Sequence, residues 1–246
     1  MTYETNGERT KDFVKNIKTY FDQEDNIVIY DKRNIIKIVE FEKTKYVVKS
    51  FKIPHLLNQF VYRFFRQSKA KRSFLNTMRL KMMDINTPEP LGYIEFPTQF
   101  LFKESFYISE LFDFDFEIRA VFSDENFEDR DNILKKFIAF THKLHQKKVY
   151  HIDYSPGNIL VKKVNGIYTF SIIDVNRMKF IEFDDDLRMQ SLAKLTNNQA
   201  DNEFMVKEYA RVSKINESLL LEKLNMSLSK QRQYLDNKKR LKRFRN

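Results

Sequence analysis

The sequence contains no cysteine, which excludes a disulfide framework and a thiolate metal site and is compatible with an intracellular home. Its four histidines, at positions 55, 142, 145 and 151, include no pair at HExxH spacing, so a structural zinc centre lacks its ligands. Nowhere do about eighteen apolar residues run together, and nothing is expected to span a bilayer. The opening stretch MTYETNGERTKDFVKNIKTYF is charged throughout and lacks the apolar centre of a secretion signal. The protein is therefore expected in the cytoplasm, with any membrane role peripheral. No internal repeat and no linker rich in Pro, Gly or Ser interrupts the chain.

What is present suffices for a sizeable core. The chain has 246 residues, of which 42% are hydrophobic, enough for one large domain or two lobes. Lys and Arg number 44 against 34 Asp and Glu, for a net charge of +10. That balance favours an anionic partner: a nucleotide, a nucleic acid or an acidic membrane surface.

Periodicity divides the chain into a strand-rich first half and a helical second half. Phe13, Ile17 and Phe21 share helical spacing; residues 27–52 read as two or three antiparallel strands. Residues 56–83 read as two helices, ended by NTPEP because Pro88 and Pro90 cannot continue a helix. Two strands follow, in PLGYIEF and LFKESFYISEL. The second half opens with a long helix whose buried face comprises Ile133, Phe137, Phe140 or Thr141, and Leu144. Two short strands then flank a turn at Asn165 and Gly166, and from Asp184 onward the pattern is helical.

Between these elements lies HIDYSPGNIL, residues 151–160, followed by IIDV at 172–175. In phosphoryl transfer a protein mainly positions the acceptor and neutralises charge on the phosphates, which calls for carboxylates and an amide on rigid elements. Asp153 could orient a substrate hydroxyl and take its proton. Asn158 could hold a magnesium ion, Asp174 could bridge metal and phosphates, and Lys49 in YVVKSF could reach the α and β phosphates. A lone HxD pair more often merely satisfies a turn. The full pattern, HxDxxxxN followed by strand, turn, strand and Asp, is far narrower.

These residues resemble the catalytic loop and metal-binding segment of the protein-kinase-like superfamily. More narrowly, VVKSFK, RFFRQSKAKRSF, NTPEPLGYIE, YHIDYSPGNIL and IIDVNRMKF resemble the bacterial kinases that phosphorylate Kdo or heptose in the lipopolysaccharide inner core, from about residue 28 to residue 195. The resemblance implies an α+β, two-lobed protein-kinase-like fold, with an antiparallel-sheet N-lobe over residues 1–109 and a mainly helical C-lobe over residues 110–246. It implies ATP as donor, Mg2+, and a sugar hydroxyl of a lipid-linked core oligosaccharide as acceptor. Asp153 matches the catalytic base, Asn158 and Asp174 the metal ligands, Lys49 the phosphate-binding lysine and His151 the loop histidine, a structural orienter. Glu110 and Phe112 would contact adenine through the backbone. Ser155 takes the place of a lysine in Ser/Thr protein kinases, which favours a small hydroxyl acceptor over a protein.

Two departures accompany the match. No glycine occurs between Ile27 and Leu91, so no Gly-rich loop lets backbone amides approach the phosphates closely. No acid occurs between Lys49 and Asp84, so the usual helix glutamate is missing; Leu75 or Asn76 stands near its place, and Lys49 is left to pair with Asp174. A pseudokinase scaffold that binds nucleotide without transfer, and a basic RNA-binding module, remain alternatives.

Two cationic stretches stand outside the motif. LLNQFVYRFFRQSKAKR reads first as an ordinary helix with its apolar face on the core, and second as an interfacial helix. The tail SKQRQYLDNKKRLKRFRN, with eight basic residues and one acid, is expected to stay solvated and meet an anionic inner-membrane surface. The expected partners are thus lipid-linked acceptor and membrane, with no specific nucleic acid, for a monomer.

Overall fold

The structure, a computed structural model, describes residues 1–243, with side chains as far as residue 240. The chain forms two units: Met1–Asp113 with Ser171–Arg177, and Phe114–Phe170 with the chain from Met178 onward. The expected lobes 1–109 and 110–246 are each contiguous; these units are not, because the segment carrying Asp174 returns to the first.

In chain order the first unit contains β1 (Thr2–Thr5), α1 (Lys11–Lys15), α2 (Ile17–Phe21), β2 (Ile27–Asp31), β3 (Ile35–Phe41), β4 (Thr44–Phe51), α3 (Leu56–Phe64), α4 (Lys69–Met82), β5 (Pro90–Phe96) and β6 (Glu104–Glu110). Its strands make one six-stranded antiparallel sheet in the order β1-β5-β6-β4-β3-β2. Successive side chains of a strand face opposite ways, and this alternation places Lys49. Tyr46 and Val48 of β4 face the cluster of Phe13, Val14, Ile17 and Phe21 contributed by α1 and α2. Phe51, of opposite parity, packs with Ala70 and Phe74 of α4 and with Tyr93. Lys49 shares the parity of Phe51, with its ammonium 5.3 Å from that ring, and so lies on the α4 face.

Helix α4 starts at Ser68, whose hydroxyl accepts from the Lys71 N–H at 3.0 Å. Helix was expected as far as residue 83, and α4 ends there, at a cap of its own that precedes the prolines of NTPEP. Asp84 takes a left-handed φ of 52°, Ile85 N–H bonds to Leu80 O and Asp84 N–H to Lys81 O, both at 3.0 Å, and buried Ile85 and Leu80 complete this Schellman cap. Helix α3 corrects the sequence reading more sharply. Leu57, Phe60, Val61, Phe64 and Phe65, read first as an apolar face on the core, are exposed, and the buried side chain of the helix is Gln59.

The second unit contains β7 (Phe116–Glu117), α5 (Ile118–Ser123), α6 (Arg130–Gln146), β8 (Val149–His151), β9 (Ile159–Val164), β10 (Ile167–Ile172, whose last two residues carry the chain into the first unit), β11 (Met178–Phe180), α7 (Asp185–Leu192), α8 (Gln199–Ser213) and α9 (Glu217–Arg243). β9 lies between β7 and β10, and β8 pairs with β11. α6 buries Ile133, Leu134, Phe137, Ile138, Thr141 and Leu144, which settles the Phe140 or Thr141 ambiguity for Thr141. Its hydroxyl bonds to Phe137 O at 3.0 Å and to Tyr154 OH at 2.7 Å, tying the helix to the loop that follows β8. The basic tail is helical as far as Arg243, and from Arg232 to Arg240 its side chains are exposed; those of Lys242, Arg243 and Arg245 lie outside the described residues.

One buried group of α6 makes this unit acid-labile. His145 stacks on Phe183 with ring centres 4.2 Å apart, and its Nδ1 shares a 2.7 Å hydrogen bond with the Tyr209 hydroxyl. Burial, helped by Arg188 and His142, pushes its pKa down to about 3. The unfolded chain holds a proton on this ring below about pH 6.5 and the folded chain does not. Stability is therefore complete above about pH 6.5 and lost progressively as pH falls toward the folded pKa. The slope is about 1.4 kcal/mol per pH unit, or roughly 2 kcal/mol between pH 6.5 and 5. Urea unfolding at pH 7.5 and 5 should show this loss in the native protein and a smaller one in His145→Gln. Equal losses in both would place the acid-sensitive group elsewhere.

Candidate functional site

The first unit holds a lysine and a carboxylate in direct contact. Lys49 Nζ donates to Asp174 Oδ1 at 2.6 Å; the Lys49 side chain is mostly buried and that of Asp174 about one-third exposed. Asp174 is fixed by its own segment as well, for Asn176 Nδ2 donates to the same oxygen at 2.7 Å. Its backbone has φ 56°, a left-handed conformation that Asp and Asn tolerate better than other side chains do. Asn76 of α4, near the position where a glutamate was expected, instead donates through Nδ2 to Val175 O at 2.7 Å. The helix thus holds the Asp174 segment through its main chain, and the lysine takes its counter-charge from that segment.

Further cations gather on this face. Lys69, at the start of α4, is held below the ordinary lysine range by burial first, then by Arg33, Arg72 and Lys49, with Asp174 acting in the opposite sense. Arg33 lies in the turn between β2 and β3, and Asn34 Oδ1 in that turn accepts from Lys52 N–H at 3.3 Å. Sequence reasoning passed over Lys69 and Arg33: one was counted in a basic run, and the other sits where a glycine-rich turn was sought. Glu110 ends β6 with its N–H committed to Glu89 O at 2.9 Å, and Phe112 follows the strand.

On the second unit the polar loop is held by its main chain. His151, buried at the end of β8, accepts at Nδ1 from the Asp153 N–H at 3.1 Å. Asn158 Nδ2 donates to Asp153 O at 2.8 Å, so the residue is pinned on both sides. Tyr154 turns inward to Thr141, and burial lifts its hydroxyl pKa well above the usual phenol range. Asp153 itself is partly buried.

Two cations missed in the sequence belong to this loop. Lys194 Nζ donates to Ile152 O and Tyr150 OH, each at 3.0 Å, bracing the residue before Asp153. The same lysine lines a groove of about 530 Å³ between α7 and α9, with Gln190, Lys230, Gln231, Tyr234 and Met226. Arg119 of α5 lies against Gly157, where an added Cβ would fall 1.8 Å from its Nη2. The glycine of SPGN is there to admit a guanidinium; nothing in the local spacing shows which one.

The architecture matches a solved structure described as WaaP in complex with acyl carrier protein, with a TM-score of 0.62 at 16% identity, over 94% of this chain and 99% of that one. Two structures of WbdD, one of them with the kinase inhibitor LY294002, align with a TM-score of 0.46 at 14% identity, over 81% and 80% of this chain and 44% of theirs. A search of the curated proteins finds no match. Residues 32–215 match the profile of the lipopolysaccharide kinase (Kdo/WaaP) family, a span that includes Lys49, Asp153, Asn158 and Asp174. The fold is thus protein-kinase-like, and the chain belongs to the lipopolysaccharide kinase (Kdo/WaaP) family, a phosphotransferase with a sugar hydroxyl as acceptor.

Proposed function

We propose that the protein transfers the γ-phosphoryl group of ATP to a hydroxyl of a lipopolysaccharide inner-core sugar, Kdo or heptose. The observation that carries this reading is the Lys49–Asp174 ion pair, a cation and a carboxylate held together by residues far apart in sequence. In the proposed reaction a bond from the γ-phosphorus to the acceptor oxygen forms as its bond to ADP breaks. Asp153 receives the hydroxyl proton, and Lys49 meets the negative charge of the phosphates. Lys69 and Arg33 supply further positive charge where a glycine-rich turn would have offered backbone amides. With the Glu110 N–H bonded to Glu89 O, adenine recognition would use the Glu110 carbonyl and the main chain of Phe112.

The donor set suits magnesium that arrives with a nucleotide. Among the described residues no three His, Cys, Asp or Glu side chains form a metal cluster. Asp174 and Asn158 each offer a hard oxygen, and phosphate oxygens and water would complete the shell that this ion prefers. When bound, magnesium would neutralise phosphate charge. The acceptor sugars would lie in the groove of Lys194, Gln190 and Tyr234, which joins the catalytic loop through Ile152, while Arg119 offers a cation to acidic groups of the core.

A lipid-linked acceptor places the work at an anionic leaflet, where each lysine or arginine of the tail adds about 1 kcal/mol of attraction. No helix among the described residues is long and apolar enough to cross a membrane, so this attachment would be peripheral. The test is incubation of the protein with γ-labelled ATP, magnesium and purified rough-core lipopolysaccharide. Label should appear in the lipopolysaccharide; label confined to ATP and free phosphate would overturn the reading.

A further inference from the structure

Helix α3 is mounted in reverse. Helical spacing puts Leu56, Leu57, Phe60 and Phe64 on one stripe, which an ordinary amphipathic helix turns to the core. Here Leu57 is 86% exposed and Gln59, on the polar side, only 6%. The polar side is anchored by specific bonds. Gln59 Nε2 donates to Pro54 O at 2.8 Å, Gln59 O accepts from Phe102 N–H at 3.3 Å, and Arg63 Nε donates to Thr98 O at 3.2 Å. Phe65, 78% exposed, extends the stripe, and the rings of Phe60, Phe64 and Phe65 lie within 4.9 to 6.4 Å of one another. A contiguous apolar surface of this kind marks an interaction site.

Charge selects the occupant. From residue 50 to residue 83 the chain contains no Asp or Glu, and Arg63 and Arg66 flank the stripe, their guanidinium groups over the rings of Phe64 and Tyr62. A second copy docking through the same patch would set cation against cation, which an isologous interface cannot avoid. An anionic bilayer satisfies both features at once: apolar side chains enter the acyl boundary and the arginines meet the headgroups. We propose that α3 is a membrane-docking helix that lies in the surface of an anionic bilayer. With nine residues, about 14 Å long, it needs that second, electrostatic attachment. The proposal deepens the reading of a lipid-linked acceptor by naming the surface that meets the lipid.

The test uses the full chain and vesicles of phosphatidylcholine with or without phosphatidylglycerol. The double variant Leu57→Glu, Phe65→Glu should lose at least about tenfold in partition onto the anionic vesicles. Its melting temperature and its phosphoryl transfer to a soluble, delipidated core should equal those of the native protein. Because the native chain has no cysteine, Phe65→Cys carrying an environment-sensitive fluorophore gives an independent readout, a blue shift with anionic vesicles. Unchanged partition of the double variant together with no shift of the label would overturn the docking while leaving the kinase reading intact. Absence of transfer by the native protein, together with vesicle binding that the double variant loses, would do the reverse. Concentration-dependent dimers in light scattering that vanish in the double variant would assign the patch to a second copy and overturn the proposal.

Discussion

Asp153→Asn is expected to reduce phosphoryl transfer to the core sugar by about 10³-fold, within the range typical for loss of a general base. Binding of Mg-ATP should be nearly unchanged. The two substituents are close in size, and two hydrogen bonds hold residue 153 by its main chain: His151 Nδ1 accepts from its N–H and Asn158 Nδ2 donates to its carbonyl. The loop therefore keeps its shape while the proton acceptor is lost. Single-turnover transfer from labelled ATP, read beside the Mg-ATP thermal shift, separates the two quantities. A variant that retains near-native turnover would remove Asp153 from the reaction; one that also loses the thermal shift would show that it holds the nucleotide side together.

The second large effect is expected on binding. At about 100 times its dissociation constant, a nucleotide stabilises the folded state by about 2.7 kcal/mol. In Asp174→Asn most of that gain should vanish, because the carboxylate proposed to meet the metal is gone and Lys49 loses its counter-charge. Asparagine is the informative substitute, since it accepts the left-handed backbone of residue 174, whereas alanine would add strain of its own. The ion pair is partly solvated, so its loss should lower the nucleotide-free stability by only about 1 kcal/mol. Calorimetry of the variant with and without Mg-ATP checks both figures. An undiminished shift would mean that residue 174 does not serve the metal.

The polar loop that joins His151, Asp153 and Asn158 was legible in the sequence because its information is local: the three are fixed relative to one another by a few residues of chain. The Lys49–Asp174 contact spans much of the sequence and could only be one option until the fold closed it. Two hairpins show where local reading stops. The turn at Asn165 and Gly166 has φ values of 51° and 78°, which those residue types favour, and it was read correctly. The turn between β3 and β4 uses the same left-handed pair, at φ 48° and 64°, but fills it with Glu42 and Lys43, residues that announce no turn. Helix α3 failed for a different reason. Periodicity shows that a stripe exists, whereas which face meets the body is decided by Gln59, Arg63 and the main chain of residues 54, 98 and 102.

The return of Ser171–Arg177 to the first unit governs how the protein is made. During synthesis all six strands of the sheet are made before residues 114–170. At ordinary elongation rates that interval lasts on the order of 3–11 s. During it Lys49 waits without Asp174, and Asn76 without the Val175 carbonyl. The strands that carry the lysine are thus made before the segment that supplies its counter-charge, and a fragment ending at residue 113 would carry the lysine without its carboxylate.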